Sequence, residues 1–196
     1  FPYINKITDK VYLYMVRVNQ PDGKKIFKPY TCWKSGDVYE LLNKGIPSEL
    51  KTPLYMEGPV SKTYDTCYIY EGERMARAGN KLFSGPGITL HIAWPFGGNG
   101  AKKADWNSLK GLGIKEFILI PDNDKAGRDC MDLVAKAVSP FNGKVFIINT
   151  TGFPDKWDVA DLTNERGAIK NNKGIVFGKE PDKTMERYEE LQQLII

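Results

Sequence analysis

The sequence predicts an α/β protein, with a four-stranded parallel sheet covered by helices on both faces and a small β-rich basic subdomain in front of it. Three observations predict it. Between residues 63 and 163, short apolar runs alternate with helical segments long enough to serve as crossovers. Residues 1–62 instead carry β-branched and aromatic runs about a Pro-Asp-Gly turn. The charge divides at the same place, with 10 Lys/Arg against 6 Asp/Glu in residues 1–62 and 18 against 18 in residues 63–196.

Taken in order, residues 11–18 read as a strand, Pro21-Asp22-Gly23 as its turn, and residues 24–30 as the returning strand of a hairpin. Residues 35–43 predict a short helix closed near Gly45, and residues 51–61, with Pro53, Gly58 and Pro59, predict an irregular connector. A boundary is expected near Lys62. Beyond it come a strand over 66–70, a helix over 73–83, a strand over 88–94 and a short helix over 105–110. A third strand follows over 116–121, then a helix over 125–138 and a fourth strand over 144–149. Strands separated by helices in this way pair in parallel through right-handed crossovers. Residues 164–178 read as polar loop, and residues 181–196 as an amphipathic helix with Met185, Tyr188, Leu191, Leu194 and Ile195 on one side. The domains expected are therefore 1–62, 63–163 and the segment 164–196.

Composition narrows the function classes. Hydrophobic residues make 41% of the 196, enough for a real core. No apolar run approaches the roughly 18 residues needed to span a bilayer, and no secretory pattern is present, so a soluble cytoplasmic protein with no membrane partner is expected. Phe1 in first place reads as a piece of a longer chain. Cys32, Cys67 and Cys130 are odd in number and far apart, as in reduced thiols. With His91 they form no Cys/His spacing of a zinc site, so no zinc is expected. His91 lies in a strand-like run and reads as a packed residue.

In an open parallel sheet, ligands bind beyond the carboxyl ends of the strands. Three of the four strands end in acid: Glu71-Gly72-Glu73 after the first, Asp122-Asn123-Asp124 after the third, and Asp158 and Asp161 in the loop after the fourth. Singly, each has an ordinary explanation as a turn or a helix cap. Jointly they predict carboxylates gathered at one edge. Such a group would repel itself and take up protons unless a cation were present. Hard oxygen ligands suit Mg²⁺, and a pair of such ions can clamp the attacking and leaving oxygens of a phosphoryl transfer. The expected chemistry is phosphate chemistry on nucleotides or nucleic acid.

These residues resemble the TOPRIM domain shared by bacterial-type primases, topoisomerases, OLD-type nucleases and some recombination proteins. The resemblance covers about residues 64–163. It is nearest to the primases of phages and mobile elements, through Glu71-Gly72-Glu73, Trp94-Pro95-Phe96-Gly97-Gly98, Asp105-Trp106-Asn107-Ser108-Leu109, the run from Pro121 to Arg128, and the loop from Trp157 to Asp161. Phe96 shifts the second of these by one place. The resemblance implies the catalytic core of a DNA primase in DNA replication. Such an enzyme is a nucleotidyltransferase, joining ribonucleoside triphosphates into RNA primers on single-stranded DNA by two-Mg²⁺ transfer, with Mn²⁺ able to substitute. It further implies that Glu71 is a general acid/base or metal ligand, that Asp122 and Asp124 hold Mg²⁺, and that Asp158 joins the metal site. Asp161 and Glu73 would support it. A replicative helicase, fused or separate, is the implied partner.

Basic segments are placed to meet phosphate. The glycine-rich loop 97–103 ends in Lys102 and Lys103, while Lys125, Arg128 and Lys156 flank the acids. Arg74 also flanks them, and salt bridging to the acids is an equal reading. In the first third, aromatic residues interleave with Arg17, Lys24, Lys25 and Lys28, and with Trp33, a pattern suited to gripping a single-stranded template. Two other functions fit the same acids: a TOPRIM nuclease cleaving DNA or RNA, and a non-catalytic nucleic-acid-binding module.

Overall fold

The computed structural model describes residues 1–4, 11–59, 61, 63–83 and 87–163. Lys62 and the helix and loop expected over 164–196 lie outside the described residues.

The first sheet is antiparallel, in the order β1 (Pro2–Ile4), β2 (Val11–Asn19), β3 (Lys25–Ser35), β4 (Val38–Leu42). Alternation explains it: Leu13 and Met15 are buried, while Tyr14 and Val16 between them are exposed. β2 and β3 form the expected hairpin. The helix expected over 35–43 is instead β4, paired with β3 from Ser35↔Val38 to Thr31↔Leu42. The reason is local, since Gly36 and Asp37 alone separate the paired ends and Gly36 takes φ +60°, which closes a two-residue hairpin before a helix can start.

The second sheet runs β5 (Tyr55–Glu57), β7 (Thr89–Ala93), β6 (Thr66–Tyr70), β8 (Glu116–Leu119), β9 (Lys144–Ile147). β7, β6, β8 and β9 are mutually parallel; β5 pairs antiparallel at the edge. β5 falls in the stretch expected to be irregular connector, so the sheet has five strands rather than four. Pro53 and Gly58 flank it closely enough to hide a three-residue strand from any periodicity.

The helices lie on opposite faces. α2 (Lys125–Val138) packs Met131, Val134 and Val138 against Cys67, Ile69, Phe117 and Leu119. α1 (Glu73–Leu82) packs Met75, Ala76 and Leu82 on the other face, with Tyr68, Tyr70 and Ile118. Tyr3, Leu13 and Met15 join this second cluster, so the antiparallel sheet closes over the same layer. His91 is buried there, stacked on Tyr68 at 4.7 Å, with Tyr70 Oη 3.0 Å from its Nδ1. Burial pushes its proton affinity down, to a pKa of about 3. No described helix is long and apolar enough to cross a membrane.

Candidate acidic site at the strand ends

Central strand β6 ends at Tyr70, and Glu71 follows as the chain turns through Gly72 into α1. Its neighbour β8 extends its pairing by one bond, Ile120 N–H to Ile69 O at 3.0 Å, before Pro121 and Asp122 leave the sheet. Adjacent parallel strands thus deliver Glu71 and Asp122 side by side: the Asp122 N–H donates to Glu71 Oε1 at 3.4 Å.

Two carboxylates so placed, half withdrawn from water, hold protons too tightly. Asp122 is pushed up to about 8, first by burial, then by the charges of Glu71, Asp158, Asp124 and Asp161. Glu71 is raised by burial and by Asp124 and Asp158, against the lowering effect of the Asp122 N–H. Asp122 Oδ1 is buried and has no hydrogen-bond partner. An orphaned carboxylate oxygen facing other acids is the donor chemistry that a hard cation satisfies.

The other acids have structural occupations as well. Asp124 caps α2, its Oδ1 accepting from Gly127 N–H at 2.7 Å. Asp158 and Asp161 form a capping box on the 3-10 turn Val159–Leu162, and Arg74 on α1 reaches both, at 3.1 Å and 3.5 Å. Among the described residues, no three His, Cys, Asp or Glu side chains are gathered closely enough to ligate an ion as they stand. Glu73 points elsewhere: it is buried and accepts from Tyr3 Oη at 2.5 Å, joining α1 to β1.

Two residues besides the acids build the site. Asn123 sits between the two acids, and its Nδ2 donates to Phe153 O at 2.6 Å and Pro154 O at 3.0 Å. Its backbone meets Trp157 O and the Lys156 N–H, so the loops after β8 and β9 are laced together. Gly127 is the other. A Cβ there would lie 2.5 Å from Glu71 Oε1 and 2.6 Å from Asp122 O, so only glycine lets the first turn of α2 approach the acids. Gly127 stands five residues after Asp122 in the chain, and the contact with Glu71 explains why glycine is needed there.

The basic residues are spread around this centre. Arg128 donates to Asn123 Oδ1 at 3.2 Å, and Lys125 pairs with Asp129 one turn along α2. Lys156 is exposed in a left-handed conformation, φ +59°. Lys102 and Lys103 are exposed beyond a 3-10 turn at Gly98–Gly100; the extra residue of that loop, Phe96, is taken up by a left-handed φ of +72°. On the antiparallel sheet the five expected template residues divide. Arg17, Lys25 and Trp33 share the register of Leu13 and Met15, Lys28 lies on the opposite face, and Lys24 stands in the turn paired with Asp22.

This fold is also seen in a solved primase fragment. The chain is similar to the primase fragment of the bacteriophage T7 primase-helicase protein, with TM-score 0.54 and 19% identity, over 82% of this chain and 55% of that one. It also aligns with a DNA primase domain from Pseudomonas aeruginosa (TM-score 0.40, 17% identity, 82% of this chain and 51% of that one). A third alignment is with the DnaG primase catalytic domain bound to ssDNA (TM-score 0.45, 13% identity, 94% and 52%). The first likeness shows a shared fold, and the chain spans about half the length of all three structures. No protein-family profile and no curated protein matches the sequence.

Proposed function

We propose that this chain is the TOPRIM catalytic core of a phage-type DNA primase, making RNA primers on single-stranded DNA. The observation that carries this reading is the pair Glu71 and Asp122, held against each other at the carboxyl edge of a parallel sheet with one Asp122 oxygen unsatisfied. The shared fold with a primase fragment supports it. Glu71, Asp122, Asp124 and Asp158 would hold Mg²⁺, or Mn²⁺ in its place. The metal would supply charge neutralisation for the acids and for the phosphate oxygens of a nucleotide. Glu71, its proton affinity raised by burial and by Asp124 and Asp158, is placed to exchange a proton with the attacking hydroxyl. Asp161 and Asn123 position the loops, and Glu73 holds α1 in place. Lys102, Lys103, Lys125, Arg128 and Lys156 receive nucleotide phosphates, and a helicase completes the replicative context.

The capping duties of Asp124, Asp158 and Asp161 favour one competitor, a non-catalytic nucleic-acid-binding module. Primer synthesis from labelled ribonucleotides on a single-stranded template, run beside cleavage of the same strand, separates the readings. The primase reading expects Mg²⁺-dependent products that Glu71→Gln reduces by about 10²- to 10⁴-fold. Cleavage products would make it a nuclease, and neither product in Mg²⁺ or Mn²⁺ would make it a binding module.

A further inference from the structure

The antiparallel sheet has two faces of opposite character. Leu13, Met15 and Thr31 share the face turned towards the parallel sheet and are buried. On the other face Tyr14 lies opposite Tyr30, Val16 opposite Lys28, and Lys34 opposite Tyr39. That face is open: Tyr14 is 36% exposed and Tyr39 67%. Of the ten exposed large hydrophobic residues among those described, five stand on it, a concentration that marks a partner surface rather than scattered apolar residues.

Its charge selects the partner. From β2 to β4, no strand position in this register is Asp or Glu; Glu40 falls on the opposite face, across from Trp33. The charged groups are Lys28 and Lys34, and Lys34 Nζ already sits 5.7 Å from the Tyr39 ring. A basic surface with aromatic rings and no carboxylate suits a polyanion that also offers flat faces to stack. The Tyr14/Tyr30 pair and the Lys34/Tyr39 pair are four residues apart along β3, about 13 Å at the usual strand rise, so they form two stations on one line.

We propose that this outward face, built on Tyr14, Tyr30, Tyr39, Lys28 and Lys34, is a stacking platform for single-stranded nucleic acid. The inference rests on the primase-type reading for the choice of a single strand as occupant. It assigns the grip to a face that excludes Arg17, Lys25 and Trp33.

Cys32 supplies the test. It is exposed on the platform between the two stations, whereas Cys67 and Cys130 are buried, so maleimide labelling of the native chain reports Cys32. Oligo(dT) at saturation is expected to slow that labelling about fivefold or more. Tyr14→Ala and Tyr39→Ala should each weaken oligo(dT) binding by at least about fivefold, with Tyr14→Phe restoring it. Lys28→Ala and Lys34→Ala should each flatten the log–log salt dependence by about 0.7. Oligo(dT) that binds while Cys32 labels at its free rate would place the strand elsewhere and overturn the platform, leaving the primase reading intact. Absence of any oligo(dT) binding would also overturn it, and so would protection of Cys32 that grows with protein concentration alone, which would assign the face to a second copy. Mn²⁺ binding in the same preparations reports the acidic site separately, so failure there counts against the primase reading and not against the platform.

Discussion

Asp122 is the residue on which the site's electrostatics turn. A carboxyl whose proton affinity is raised on folding binds more protons folded than unfolded, between its ordinary value of 3.8 and its raised value of about 8. Stability of the metal-free protein should therefore fall as pH climbs through that window, and level off above it. His91 acts with the opposite sign between about 3 and 6.5, because the unfolded chain takes up the proton that the folded one refuses. Above 6.5 His91 no longer contributes, but the Phe1 amino group, lowered by burial from its ordinary value of 8.0, still acts with the sign opposite to Asp122, so the comparison with Asp122→Asn isolates the carboxyl. Thermal melts from pH 6.5 to 8 should show the wild type losing stability with rising pH relative to Asp122→Asn. Equal slopes would mean that Asp122 is not held in its strained protonation balance. Gly127 gives a second, steric prediction. Gly127→Ala drives a methyl into the Asp122 carbonyl, which is backbone and cannot swing aside, so a cost of about 1–3 kcal/mol is expected in urea unfolding. An unchanged midpoint would contradict the close approach.

At the scale of elements, what joins the antiparallel sheet to the parallel sheet is a small number of contacts around β1. Tyr3 is fully buried and donates to the buried Glu73 carboxylate. Tyr3→Phe keeps the ring and removes the donor, so it should cost about 1–3 kcal/mol in chemical denaturation, the range for a buried polar group deprived of a partner. A loss below a few tenths would show that the tie is incidental. Legibility also varied by element. β6, β7, β8, β9 and both α-helices were readable because each has a full apolar face against a neighbour, which imposes a period on the sequence. β4 was not, since Glu40, Leu41 and Leu42 read as good helix formers and only the two-residue turn at Gly36-Asp37 overrules them. β5 is three residues long and leaves no period to read.

For the whole molecule, the topology does what the sequence suggested: it carries acids from segments dozens of residues apart to one sheet edge. Glu71 and Asp122 meet there because β6 and β8 are neighbours in register. The sequence could not show how the remaining acids would be employed. A cap and a metal ligand are written with the same Asp before the same helix, and only the hydrogen bonds of Asp124 and Asp158 reveal the capping role. Nor could it show which face of β2–β4 would be left open, because that depends on Leu13 and Met15 finding Tyr3 and α1 to pack against.

The claim beneath the functional reading is that these carboxylates form a divalent-cation site. Mn²⁺ titration of the intact chain, followed by electron paramagnetic resonance at neutral pH, tests it directly. Saturable uptake that Mg²⁺ displaces, and that Asp122→Asn or Glu71→Gln abolishes, is the result expected. No uptake, or uptake that survives both substitutions, would contradict it.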